Sequence, residues 1–375
     1  MAKRKKVVDI IKTVILLMAL IFFVVIAVCQ IYENMNEDNG DDRIVLGVNS
    51  ANSETFGSAL NGISVPVGDY VGIVSGGNFM VIDKEGDAKN TENFMLSDPI
   101  LHSRGDYCIV ADYNGKEAKL YEKGKVTATV ETEEKIISVV TNRNGFFAIA
   151  TEEVGYNAVV NVYRKNGTPI YRYRITENIF IDMDISNNNR KLIVTEANLD
   201  AAKAGSMVVE VALNVSDSQK AVYVPEEMYI GIHFNSNSSF VALGSHKTDL
   251  YRSDMKLSAT IDYEGRTLIT SDITTDDMIC LAFRGSGEEA NASVLEIYDK
   301  NGKKRGSVSF EEEIENISVT GSYVAVCHGD MVDIVKSNGT RVKTFSTTSP
   351  VKCATAFPKS DAAVIFSGGN TTIMK

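Results

Sequence analysis

From Ile317 to Phe345 the chain alternates short apolar runs with polar turns in the manner of one four-stranded sheet. Ile317-Ser318-Val319 leads to a Gly321-Ser322 turn, then to the apolar run Tyr323 to Cys327, then to Met331 to Val335, an Asn338-Gly339 turn, and Val342 to Phe345. Ile63 to Phe94 repeats the order, with Ile63-Ser64-Val65, Gly68-Asp69, Tyr70 to Val74, Phe79 to Asp83, and Glu85-Gly86. Such a sheet cannot bury its faces alone, so copies of it must stack.

The unit recurs at Ile100 to Gly124, Ile137 to Gly167, Ile181 to Val224, Ile230 to Arg252, Ile269 to Gly302 and Lys352 to Met374. Its spacing, roughly 40 residues, is that of a four-stranded propeller blade. The pattern predicts an all-β chain folded as a β-propeller. Eight blades is the favoured count; seven is the alternative, because the units beginning at Ile181 and Ile230 are the most degenerate. The last unit holds three strands, and Arg43 to Val48 is expected to supply its outer strand, closing the ring and removing open sheet edges. Asn166, Asn301 and Asn338 each begin an Asn-Gly pair between alternating strands, a strong hairpin signal.

The first residues follow a different pattern. Lys3-Arg4-Lys5-Lys6 precedes an apolar stretch, Val7 to Ile31, interrupted only by Asp9 and Lys12. Its uncharged core, Thr13 to Cys29, approaches the roughly 20 residues a bilayer needs and exceeds the apolar core of a typical signal peptide. A retained transmembrane helix is expected rather than a cleaved signal. The basic cluster places the N-terminus in the cytoplasm and the rest outside the cytoplasmic membrane. The expected organisation is a basic tail at 1–6, a helix at 7–31, an acidic linker at 32–42 with Glu33, Glu37, Asp38, Asp41 and Asp42, and a propeller domain at 43–375 closed by the strand at 43–48.

Composition adds limits. The 375 residues are 44% hydrophobic and carry a formal net charge of -11. A chain this acidic repels phosphate backbones, so nucleic acid is not an expected partner. The five cysteines show no CxxC or Cys/His ligand spacing. Cys108, Cys280 and Cys327 fall in second strands and read as small buried hydrophobes. A Cys327–Cys353 bridge between neighbouring repeats is the one pairing the layout offers.

Trp is absent and no Gly-His or Trp-Asp signature occurs, so the WD40 pattern is not met. The repeats resemble the looser YVTN and quinoprotein-like propellers. With its anchor and its repeats from Ile63 to Lys375, the chain resembles an uncharacterised bacterial family of membrane-anchored propellers, domain of unknown function 5711. That resemblance implies an extracytoplasmic propeller and carries no functional residues.

Candidate chemistry is sparse. Inner strands of a propeller point alternate side chains at the central channel, and aligning the repeats puts Asp184, His233 and Asp272 at one equivalent position. Asp, His and Asp could hold a metal or perform acid/base work; they could equally be polar lining of a wet channel. No G-x-S-x-G, H-E-x-x-H or phosphate loop occurs, and no cofactor is expected. Three insertions between second and third strands, at 151–157, 197–206 and 284–293, are expected to cluster as long loops on one face, the kind of surface that binds partners. The sequence therefore points to a membrane-anchored interaction or scaffold module, with a channel enzyme or small-ligand or metal sensor as the alternative.

Overall fold

The computed structural model describes residues 43–45, 63–90, 94–200, 204–215, 218–273, 277–285 and 292–375. Ile44–Met374 form one compact unit. A second unit comprises Met1–Arg43 and Lys375. The expected basic tail, membrane helix and linker all lie outside the described residues. Among the described residues no helix is long and apolar enough to cross a membrane.

The strands follow in chain order. β1 (Arg43–Val45) comes first. Blade 1 holds β2 (Ile63–Val67), β3 (Tyr70–Ser75) and β4 (Asn78–Ile82). Blade 2 holds β5 (Pro99–Arg104), β6 (Tyr107–Asp112), β7 (Glu117–Glu122) and β8 (Lys125–Glu131). In blade 3 are β9 (Ile136–Thr141), β10 (Phe147–Glu153), β11 (Tyr156–Tyr163) and β12 (Pro169–Ile175). Blade 4 has β13 (Ile179–Ile185), β14 (Lys191–Asn198), β15 (Gly205–Ala212) and β16 (Gln219–Pro225). Blade 5 has β17 (Tyr229–Phe234), β18 (Phe240–Gly244), β19 (Lys247–Tyr251) and β20 (Leu257–Asp262). β21 (Leu268–Asp272), β22 (Met278–Arg284), β23 (Ser293–Asp299) and β24 (Lys304–Phe310) make blade 6. β25 (Ile314–Thr320), β26 (Tyr323–His328), β27 (Met331–Lys336) and β28 (Arg341–Ser346) make blade 7. Blade 8 holds β29 (Val351–Ala356), β30 (Ala363–Ser367) and β31 (Asn370–Met374), and β1 stands beside β31 as its fourth strand.

Successive strands within a blade pair antiparallel, giving eight sheets. The blade count is eight. The reason is visible in the core, which is divided into eight apolar clusters, each spanning two consecutive blades. Strand β14 shows how one strand serves two of them. Leu192 and Val194 join the cluster shared with blade 3, while Ile193, pointing the other way, joins the cluster shared with blade 5. Second strands are therefore apolar on both faces, because both faces are covered. Fully burying each such side chain contributes about 1.5–3 kcal/mol. Outer strands alternate instead, as in the pattern of exposed and buried positions along β28. The eighth cluster joins Val71, Ile73 and Ile82 of blade 1 to Val364, Phe366 and Ile373 of blade 8. There Ser64 Oγ and Thr355 Oγ1 lie 2.8 Å apart. The ring is closed.

Two local features depart from the sequence pattern. Among the described residues blade 1 shows no fourth strand of the kind expected between Glu85 and Phe94. Isolated bridges, Ala88 to Ile82 and Met95 to Asn78, and the side chain of Asn90 cover the edge of β4 instead: Asn90 Oδ1 accepts from Val81 N at 2.6 Å and its Nδ2 donates to Phe79 O at 3.2 Å, so one amide satisfies two strand groups that a neighbour would have paired. Blade 5 has a fourth strand, β20, that the sequence pattern did not mark. The Asn-Gly pairs do sit in the third-to-fourth hairpins, but in longer turns than a two-residue loop. At Asn166-Gly167 the glycine takes φ 82° and the register slips between Val162 and Tyr163, a bulge that needs a left-handed residue.

The four described cysteines are free thiols. The Cys327–Cys353 bridge is therefore not formed. Cys327 belongs to the apolar cluster between blades 7 and 8, and Cys353 packs against the one between blades 8 and 1.

Candidate functional site

Inner strands bring the channel residues together from distant parts of the sequence. Asp184, His233 and Asp272 do share a register position, opposite Ile193, Val241 and Cys280 of their second strands. Two of the three meet. His233 Nδ1 lies 3.4 Å from Asp184 Oδ2, with both side chains nearly fully buried. Between them sits a residue the sequence reading did not select, Arg104, at the end of β5. Its Nη2 lies 3.1 Å from Asp184 Oδ2, its Nη1 donates to Asp184 Oδ1 at 3.3 Å, and Nη2 also donates to Phe234 O at 3.3 Å and to the His233 ring. A signal was available. The inner strand of blade 1 ends in buried Val67 before Gly68-Asp69, whereas the inner strand of blade 2 ends in Arg104 before Gly105-Asp106. A charge in an apolar register position requires a partner.

Electrostatics follow from burial. Loss of water raises Asp184 above the usual carboxylate range and lowers Arg104, and each charge opposes the other's shift. Asp184 also accepts from Phe234 N at 2.6 Å and Ile185 N at 2.7 Å. A carboxylate with that many donors is held ionised, so the contact is an ion pair. Burial, then Arg104, push His233 well below its usual value, so the ring is neutral and accepts from the guanidinium. His102 behaves alike. Burial and Arg104 hold it at about 3, and its Nδ1 accepts from Thr141 N at 3.1 Å. Asp182, two residues before Asp184, is raised by burial to about 7, with Asp184 adding to the shift and the Ile232 and Met183 N–H groups opposing it.

Asp272 is engaged elsewhere. Its Oδ2 accepts from Val319 N at 2.7 Å, and it lines a cavity of about 250 Å³ with Ser64, His102, Ser318 and Cys353. Among the described residues no group of three or more His, Cys, Asp or Glu is placed to hold a metal ion. Where Asp184 and His233 converge, the cation is a guanidinium. Beyond Arg104 a wider cavity of about 710 Å³ opens among the first-to-second-strand turns, lined by Arg104, Arg143, Asp69, Asp106 and Lys359. Lys359 Nζ reaches Asp69 Oδ1 at 3.2 Å, so these surface charges partly cancel.

The three expected loops resolve differently. Residues 151–157 are not a long loop: β10 runs to Glu153, β11 begins at Tyr156, and only Val154 and Gly155 form the turn. The insertion lengthens the hairpin rather than the connection, because Glu153 pairs with Tyr156 after a bulge. In 197–206 the strands also absorb both ends, with Ala197↔Ser206 and Asn198↔Gly205 in register. The third begins and ends on paired residues, Arg284↔Ser293. Because strands reverse, the described ends of all three lie on the face opposite the wider cavity, while 201–203 and 286–291 fall outside the described residues.

Residues 48–375 match a family described as a family of unknown function (DUF5711). No curated protein matches the chain in sequence. Among solved structures, BamB from Moraxella catarrhalis is similar with a TM-score of 0.51 and 12% identity, over 84% of this chain and 93% of that one. BBS1N, solved in complex with ARL6DN, gives 0.47 and 14% identity over 72% and 86%. At such identities the likeness is one of fold alone.

Proposed function

The chain belongs to the DUF5711 family of unknown function, and we propose that it is a protein-interaction or scaffold module held outside the cytoplasmic membrane. In this reading residues 7–31 are the membrane helix, 1–6 its cytoplasmic tail with Lys3 to Lys6, and 32–42 the linker to the ring. One observation carries the module reading: Arg104, Asp184 and His233, the charged and titratable side chains that converge in the channel, are spent on one another. What the ring offers outward is a rigid face bearing the connections after β14 and β22. Rigid scaffolds with variable loops are where binding concentrates.

In-cell cross-linking of the tagged full chain, followed by mass spectrometry, tests this. Reproducible cross-links from 197–206 or 284–293 to one envelope protein are expected. An empty capture from abundant, folded protein would overturn the reading. Protease added to intact cells checks the topology, since a ring outside the membrane is cut and one inside is spared. The cavity of about 710 Å³ supports a second reading, a small-ligand sensor or enzyme at the channel mouth. It predicts a thermal shift with a small molecule or metal that Arg104→Met abolishes.

A further inference from the structure

Two observations coincide on the face where second strands turn into third strands and outer strands lead to the next blade. The first is apolar. Met95, Tyr113, Val154, Ile179, Leu199 and Ile230 are exposed large hydrophobics, and all lie on this face along the arc from the end of blade 1 to blade 5. Val154, at a hairpin tip, is 92% exposed, and Leu199, just past β14, is 63% exposed. Six such residues recurring on one face of successive blades mark a contact surface. Across blades 7, 8 and 1 the second-to-third turns are only Gly329-Asp330, Gly368-Gly369 and Gly76-Gly77.

The second observation is charge. Glu133, Glu152, Glu177, Asp200, Glu226 and Glu264 are exposed on the same face of the same arc, interleaved with the apolar positions. Of the basic residues in these connections, Arg266 is bound to Glu296 at 3.0 Å, Lys116 Nζ donates to Glu133 O at 2.5 Å, and Lys135 is exposed among the carboxylates. The opposite face differs. Its connections carry Arg143, Arg164, Lys165, Arg190 and Lys303, interspersed with Asp69, Asp106 and Asp254. Along this arc the exposed carboxylates therefore gather on one side of the ring.

We infer that this arc docks a basic amphipathic protein segment, one that alternates Lys or Arg with apolar side chains. Apolar anchors supply burial and the surrounding carboxylates steer and orient the partner, an arrangement in which complementary charge sets register and association rate. A nucleic acid or an anionic membrane surface would be repelled by the same carboxylates. The inference rests on the interaction-module reading and adds to it the face and the chemistry of the partner.

The test places a photo-cross-linking residue in the full membrane-bound chain at Val154, Leu199 or Ile230 on the arc, and at Leu257 or Val342 near the opposite face. Captured peptides are sequenced. Arc positions are expected to yield peptides rich in Lys or Arg and apolar residues. Yield is expected to fall at least tenfold when Glu133→Lys, Glu177→Lys and Glu226→Lys are combined. The paired control, Arg164→Glu with Lys165→Glu, leaves it unchanged, and thermal unfolding of each variant confirms the ring is intact. Acidic or uncharged peptides, yields indifferent to the Glu→Lys changes, or capture only from Leu257 and Val342 would overturn the inference while leaving the interaction module standing. No protein captured from any position would overturn both.

Discussion

Arg104 and Asp184, eighty positions apart in sequence, form an ion pair inside the channel with side chains 3% and 1% exposed. Arg104 enters from blade 2, Asp184 from blade 4, and the same guanidinium reaches His233 and Phe234 O of blade 5. The contact ties three blades across the ring axis. Removing one partner strands a buried charge, which costs about 3–5 kcal/mol. Arg104→Met is expected to lower the unfolding midpoint sharply in a denaturant titration. Adding Asp184→Asn is expected to recover part of the loss, since the stranded charge is then gone. A single variant as stable as the parent would show that the pair contributes nothing.

Asp182 gives a pH signature. Its folded value, about 7, lies above the roughly 3.9 of an unfolded aspartate. The folded state therefore holds the proton longer, and this carboxyl's contribution to stability declines as pH rises from about 4 to 7. His102, held at about 3, acts in the opposite direction: stability is lost as pH falls from about 6.5 toward 3. Asp182→Asn is expected to flatten the first slope and leave the second. Thermal midpoints of both proteins between pH 4 and 8 measure this, and parallel curves would refute it.

Asn90 stands in for a strand, so its replacement should behave like loss of sheet edge. Asn90→Ala leaves Val81 N–H and Phe79 C=O without the amide, a cost of about 1–3 kcal/mol. Asn90→Asp keeps the acceptor for Val81 but loses the donor to Phe79. It is expected to fall no less far than the alanine variant, because it also buries a charge. Hydrogen exchange at Val81 N–H should accelerate in Asn90→Ala. Unchanged exchange would mean water replaces the amide at no cost.

Burial raises the Cys353 thiol to about 12 and Cys327 well above its usual value. Reaction requires the thiolate, so maleimide labelling of the folded ring at pH 7.5 is expected to be slow at both and fast after denaturation. A reductant should leave the thermal midpoint unchanged. Recovery of a disulfide-linked peptide joining Cys327 to Cys353 from untreated protein would contradict the free-thiol state.

The repeats were legible because second strands, buried on both faces, spell continuous apolar runs that turns interrupt. The two-residue turns at Gly68-Asp69 and Gly321-Ser322 were legible for a related reason: their glycines sit at φ near 60°, where other residues rarely go. Blade 1's missing strand was not, since a buried side-chain amide can replace a strand without a periodic pattern. Insertion length also misled at 151–157, where extra residues paired and extended β10 and β11 instead of forming a loop. In the channel, alignment found Asp184 and His233 but missed Arg104, because alignment compares like positions and a partner across the axis sits at an unlike one.

Closure between blades 8 and 1 joins the two ends of the sequence. Ser64 and Thr355, in contact at the seam, are separated by 291 positions, so seven of the eight interfaces form between neighbours in the sequence while this last one waits for nearly the whole polypeptide. The seam is therefore the interface with the largest loop-closure cost, since its two sides come from opposite ends of the sequence.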